Sequence, residues 1–249
     1  MNTPATSQFH QMVLAILLFA LAGCSAPESL IIYSGNGLQS AVDELTDTFG
    51  GDEGVTINVV YAGSHSLLDT IRKTSKGDIY IPGSHSYIET AGALVVASET
   101  VGMHVPTFAV DGRKQDSPRT YTELLKPGLR IATGNDRLAA IGRATEAILA
   151  AADSRQDFRP NIVVTASTAS ELLQLVLDGE VDAALIWKDM LQWPQASGLA
   201  EVEIPQTINQ PKQISVAVLS TSRNPTLSMR FLRYASSDQG RAIFARHGF

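Results

Sequence analysis

Apolar runs of strand length alternate along this chain with segments of helical periodicity. Leu30-Ile31-Ile32-Tyr33-Ser34 reads as a buried strand, and behind it Leu38, Ala41, Val42, Leu45 and Phe49 fall on one face of a helix. The couplet recurs with VTINVVY (55–61) ahead of Leu67, Leu68 and Ile71, and with DIYI (78–81) ahead of a segment around Tyr87 to Leu94. Further on, LRIAT (129–133) precedes Ala144, Ala147, Ile148 and Ala151, and IVVT (162–165) precedes Leu172, Leu173, Val176 and Leu177. A last apolar run, VDAALIW (181–187), leads into a short helical stretch. Strands alternating with helices predict an α/β protein whose mostly parallel sheets are flanked by helices on both faces.

Two stretches break the alternation and predict where the chain changes body. DGRKQDSPR (111–119) is polar and turn-rich, a surface loop expected shortly after a crossover strand, and a second crossover is expected near Pro205 to Pro211. They predict two lobes: lobe I from residues 28–105 plus 211–249, and an inserted lobe II from 106–210. Ahead of both, Met12 to Ala22 (MVLAILLFALA) is too short to stay in a bilayer as a spanning helix and reads as an export signal. Leu21-Ala22-Gly23-Cys24 resembles a lipoprotein signal-peptidase box, although no Lys or Arg precedes the apolar run. This predicts a signal peptide over 1–23, a lipid on Cys24 and a membrane-anchored tether over 24–29; a plain secretory signal with an incidental cysteine is the alternative.

Composition narrows the function classes. Cys24 is the only cysteine, so the exported domain has to be stable through its core without a disulfide. With 19 Lys+Arg against 25 Asp+Glu, a net charge of −6 and no basic run, the chain is unsuited to nucleic acid. Its 44% hydrophobic content is that of a folded domain rather than a disordered one.

The chemistry is concentrated where strands give way to helices. Asn36-Gly37-Leu38-Gln39 offers Asn36 as an N-cap with Gln39 three residues on; Ser64-His65-Ser66 precedes a helix at Leu67, with Asp69 three after Ser66; Thr168-Ala169-Ser170-Glu171 is a capping box; and Asn135 to Gly142 is small and polar before another helix. Free amides and the helix dipole leave about half a positive charge at each such start. If several starts converge, they form an anion site that needs no Lys or Arg; if they do not, they are ordinary caps. Gly63 would let the chain approach closely there.

Other chemistries fit less well. His65 and His85 lie in two Gly-Ser-His-Ser stretches, but their spacing matches no metal-ligand pattern and a metal site needs three or four ligands. His85 reads as a surface loop residue, and His65 as a rim residue that tunes anion affinity with pH. A serine hydrolase would need a nucleophile and base; there is no Gly-x-Ser-x-Gly element, and Ser64 and His65, adjacent in sequence, point in different directions. Trp187 fits either the core or the rim of a site.

Six stretches in order resemble one family. They are IIYSGNGLQSAVDELTDTF, YAGSHSLLDTI, GDIYIPGSHSYIETA, LRIATGNDRLAAIGRATEAIL, ASELLQLVLDGEVDAALIWKDM and SSDQGRAIFARHGF. Together they are similar to the molybdate/tungstate-binding proteins of ABC importers, receptors with the two-lobed type II periplasmic binding protein fold. The resemblance implies a monomeric, non-enzymatic receptor without cofactor or metal cation, on the periplasmic or cell-surface face, handing an oxyanion to an ABC permease. It implies a tetrahedral dianion held by neutral donors, which carry over to Asn36 and Gly37, Ser64 with His65 at the rim, Ala140 and Ile141, Ala169, and Trp187. Two positions depart: Gly37 stands where the family has a serine, and Trp187 where it has an aromatic hydroxyl. A receptor for sulfate, phosphonate or a metal is the alternative within the same fold.

Overall fold

The computed structural model describes residues 28–249; the predicted signal peptide, Cys24 and tether residues 25–27 lie outside them. The apolar run at Leu30 becomes β1 (Ser29–Gly35), which pairs in parallel with β2 (Thr56–Ala62) on one side and β3 (Ile79–Ile81) on the other. Burial follows position in the sheet. Edge strand β2 alternates exposed and half-buried residues, whereas β3 is buried throughout, covered on both faces. The sheet is completed by β4 (Val95–His104) and by β10 (Lys212–Leu219), which is antiparallel to both β3 and β4.

The second sheet repeats the plan. Its strands are β5 (Pro106–Asp111), β6 (Ile131–Gly134), β7 (Ile162–Ala166), β8 (Ala183–Trp187) and β9 (Leu199–Val202). The orders are β2-β1-β3-β10-β4 and β7-β6-β8-β5-β9. In each, three parallel strands are followed by a reversed strand arriving from the other lobe, so both sheets are mixed. The chain passes between the lobes twice, through Val105 and through residues 203–211. The hydrophobic pattern marks the three parallel strands of each sheet and does not single out β4, β5, β9 or β10.

Helices α1 (Gln39–Glu53), α2 (Ser64–Thr74), α3 (Ser86–Ala91), α4 (Tyr121–Leu124), α5 (Ala140–Ala151), α6 (Arg155–Phe158), α7 (Ala169–Leu177), α8 (Pro225–Ser236) and α9 (Asp238–Arg246) cover the sheets. On α5 the buried face is Ala144, Thr145, Ile148 and Leu149, which turns Ala151 out to solvent, against the sequence expectation. Asp78 is buried and knits lobe I together: its carboxylate accepts from the Ile31 amide (2.8 Å), the Ser222 hydroxyl (2.7 Å) and the Arg223 amide (2.9 Å).

Two apolar clusters form the core. One packs α1, α8 and α9 on the outer face of the first sheet, with Leu45, Phe231 and Phe244 among its buried side chains. The other runs without a break from Leu67, Ile71 and Tyr80 of lobe I to Ile141, Leu172 and Trp187 of lobe II. That continuity means the two lobes are closed on one another.

Candidate functional site

At the carboxyl ends of the parallel strands the chain turns sharply into helices, the place where open α/β sheets take ligands. β1 runs into a single turn at Asn36–Leu38 and then α1; β2 runs into α2; the loop after β6 leads to α5; the loop after β7 leads to α7. All four starts face one cavity between the lobes, lined by Asn36, Gly37, Ser64, Ala140, Ile141 and Ala169. Its volume open to the centre of a water molecule is about 20 Å³. Adding water's own radius of about 1.4 Å makes it a space roughly 3 Å in radius, the size of one compact anion.

The local hydrogen bonds show which donors are left over for that space. A helix cannot satisfy its first amides internally. At α5 the Gly142 amide bonds to the Ala139 carbonyl (3.2 Å), which leaves the Ala140 and Ile141 amides without an intrahelical acceptor. At α7 the Thr168 hydroxyl accepts from the Glu171 amide (3.2 Å) and the Thr168 carbonyl from the Leu172 amide (3.4 Å), which leaves those of Ala169 and Ser170. At α2 the Ser64 hydroxyl accepts from the Gly83 amide (3.1 Å), so its own proton is available to a guest. The Tyr80 hydroxyl donates to the Ser64 carbonyl (2.7 Å), fixing this turn from behind; burial pushes the Tyr80 phenol well above its usual range, so it stays protonated as that donor.

Gly37 and Trp187 explain one another. A Cβ built on Gly37 would lie 2.8 Å from Trp187 Cδ1, 3.3 Å from its Nε1 and 3.4 Å from His104 Cε1. Trp187 cannot withdraw, because its ring is stacked on His104 with centroids 3.8 Å apart and planes 14° from parallel. The missing side chain at 37 is therefore the space that the indole occupies. Trp187 is both buried core and cavity wall.

The seam between the lobes is close enough to be selective. A Cβ on Gly63 would lie 2.6 Å from the Leu138 carbonyl oxygen and 2.8 Å from that of Ser167, both on lobe II. Beside it the His65 amide donates to the Leu138 carbonyl (3.2 Å). The Ser170 hydroxyl meets the Asn36 side-chain carbonyl, and the Arg143 guanidinium lies 4.0 Å over the ring of Tyr87.

Several sequence expectations change in detail. Asn36 is not an N-cap: Gly35 occupies that position, and the Asn36 side chain reaches across the cleft instead. α2 begins at Ser64, not Leu67, with Gly63 as its N-cap, so Ser64 belongs to the first helical turn. Thr168 caps α7 as expected, but Glu171 reaches back to the Ser167 amide (2.8 Å) rather than to Thr168. His65 does not line the cavity; its ring faces Asp69 at 3.5 Å, and only its amide takes part in the seam. His85 is half-buried, not a loop-surface residue, and its Nδ1 lies 2.7 Å from the Ser215 hydroxyl. Among the described residues no cluster of three or more His, Cys, Asp or Glu side chains is placed to hold a cation.

Sequence reading missed two wall residues that carry weight. Gly83, from the second Gly-Ser-His-Ser stretch, and His104, at the end of β4, both line the cavity. His104 lies outside every helix start, and only the pairing of β4 with β10 brings it there.

Comparison with known proteins gives the context of this geometry. Residues 30–249 match the family described as bacterial extracellular solute-binding protein. The molybdate-binding protein ModA of Mycobacterium tuberculosis is 23% identical over 256 residues, covering 96% of this chain and 95% of that relative. Among solved structures, the Azotobacter vinelandii periplasmic molybdate-binding protein superposes with a TM-score of 0.76 at 14% identity, covering 88% of this chain and 97% of that one. The sulfate-binding protein SubI of Mycobacterium tuberculosis gives 0.77 at 16% identity, covering 89% and 86%. These relatives are binding proteins rather than enzymes, and the two-lobed α/β architecture is theirs. The family match takes in nearly every described residue, and this chain belongs to the bacterial extracellular solute-binding proteins.

Proposed function

We propose that this solute-binding protein captures one tetrahedral oxyanion, molybdate or tungstate, between its lobes and delivers it to an ABC permease, tethered to the membrane through a lipid on Cys24. The observation that carries the reading is the convergence of four helix starts on a single cavity of about 20 Å³, lined by Ser64 and by the first residues of α5 and α7, whose amides have no intrahelical acceptor. A cavity of that size fits a compact anion.

The leftover donors also set the choice of anion. Molybdate and tungstate carry no proton near neutral pH, whereas hydrogen phosphate keeps one that would meet another donor. Sulfate is proton-free as well, and size decides against it: a smaller tetrahedron leaves donors unpaired, each costing about 1–3 kcal/mol. The Ser64 hydroxyl donates to one oxygen, the α5 and α7 amides to others, and Trp187 closes the side that Gly37 leaves open.

A thermal-shift panel tests this. At one hundred times its dissociation constant a ligand that binds only the folded state adds about 2.7 kcal/mol, which for a chain of this size raises the melting temperature by roughly 5–10 °C. Molybdate and tungstate are expected to give that shift and phosphate none; a shift with sulfate alone reassigns the ligand within the same site, and no shift with any oxyanion removes the reading. Ser64→Ala is expected to weaken molybdate binding roughly tenfold or more, the loss of one buried donor, and to lower the melting temperature of the unliganded protein by a few degrees, because the Gly83 amide loses its acceptor.

A further inference from the structure

Among the described residues His104 is the only titratable side chain on the cavity wall, and it is fully buried. Its Nδ1 lies 3.3 Å from the Gly83 carbonyl, an acceptor only, so that nitrogen carries a proton. Its Nε2 lies 3.0 Å from Oδ1 of Asp189, which is 2% exposed and sits behind the wall, outside the cavity lining. The Nε2–Oδ1 contact is close without the alignment of a hydrogen bond, and neither Asp189 side-chain oxygen has an aligned donor among the described residues. A buried carboxylate so placed is strongly unfavourable unless an opposite charge sits beside it, and His104 is the group in contact.

Resting on the oxyanion reading above, we propose that His104 and Asp189 form a buried imidazolium–carboxylate pair with its positive end at the cavity. The tetrahedral dianion is then held by one fixed charge in addition to neutral donors. The pair works as a short dipole, in the sense that the helix starts do, with the negative end one residue layer further from the guest. Two proton positions are open to it: on Asp189 beside a neutral ring, or on His104 beside a carboxylate. Burial pushes the Asp189 carboxyl up, toward the first, and the His104 charge pulls it back. A dianion arriving on the His104 side favours the second, so ligand capture draws the proton on to the ring.

The surroundings leave this proton to the pair. Lys212 is the register partner of His104 on β10, and burial lowers its ammonium from the usual value. His247, just past the end of α9, has only a minor electrostatic effect on Asp189, and its ring is engaged by Glu44 at 2.7 Å. Trp187 and Phe249 pack on the His104 ring, the first stacked and the second edge-on at 5.0 Å.

The test uses the full mature protein with molybdate as the probe. Nitrogen-15 spectra of the histidine rings at neutral pH, with molybdate bound, are expected to show both His104 nitrogens protonated; one bare ring nitrogen overturns the proposal. A second arm removes both charges together by combining His104→Phe, which keeps the stack on Trp187, with Asp189→Leu, a replacement that buried pairs tolerate. The double variant is expected to bind molybdate at least tenfold more weakly than the wild type, and binding within twofold overturns the proposal. Failure of the wild type to bind any oxyanion sinks the site reading itself, whereas wild-type binding beside a neutral His104 sinks only this inference. If the double variant fails to fold, the wild-type spectra decide.

Discussion

Gly63→Ala is expected to abolish tight oxyanion capture while leaving the fold intact. The backbone at residue 63 is extended (φ −62°, ψ 139°), so alanine fits it without strain. The new methyl group would stand 2.6 Å from one lobe II carbonyl and 2.8 Å from another, and neither backbone oxygen can move aside without displacing its loop. The lobes then stop short of closure. The His65 amide loses the Leu138 carbonyl, and the α5 and α7 amides no longer reach a guest bound on lobe I. Two or more donors lost at about 1–3 kcal/mol each correspond to a fall in affinity on the order of a hundredfold or more. Removing a glycine from the unfolded chain stabilises by a few tenths to about 1 kcal/mol, which offsets part of the interlobe contact given up, so the unliganded melting temperature is expected to fall by no more than a few degrees. Calorimetric titration beside a melting curve checks both halves. Undiminished affinity would mean that the lobes do not need this approach in order to hold the ligand.

The second large effect is expected at the pair of family departures. Gly37→Ser places a Cβ 2.8 Å from Trp187 Cδ1, and the indole is pinned by its stack on His104. The single substitution is expected to weaken molybdate binding tenfold or more. Adding Trp187→Tyr opens the space and supplies a phenol, and the double variant is expected to regain most of the loss. A coupling energy of roughly 1.4 kcal/mol or more across the four proteins is the signature of residues in contact. Simply additive losses would show that Gly37 and Trp187 do not share that space in the working receptor.

The central parallel strands of both sheets were legible because they are covered on both faces and give unbroken apolar runs, Leu30–Ile32 and Ala183–Trp187 among them. β4 was not, because it is an edge strand with mixed burial, and a sequence such as VVASETVGMH lacks a clean period of two. The helix starts could be located from small polar residues alone, but their roles could not. Asn36 looks like a cap in sequence; in space a glycine does that work, and the asparagine contacts the opposite lobe. The departures at Gly37 and Trp187 were visible as two separate anomalies, whereas their mutual compensation depends on a contact between residues 150 positions apart. His104 gave no local signal, since strand pairing and the second lobe assemble its surroundings.

The central claim is that the neutral amides at the starts of α5 and α7, joined by the Ser64 hydroxyl at the start of α2, hold a doubly negative guest in the interlobe cavity. Crystals of the mature protein grown with tungstate and measured near the tungsten absorption edge test it most directly. The account predicts one dominant anomalous peak within hydrogen-bonding reach of Ser64, Ala140, Ile141 and Ala169. A dominant peak elsewhere on the molecule, or an empty cavity at saturating tungstate, would contradict it.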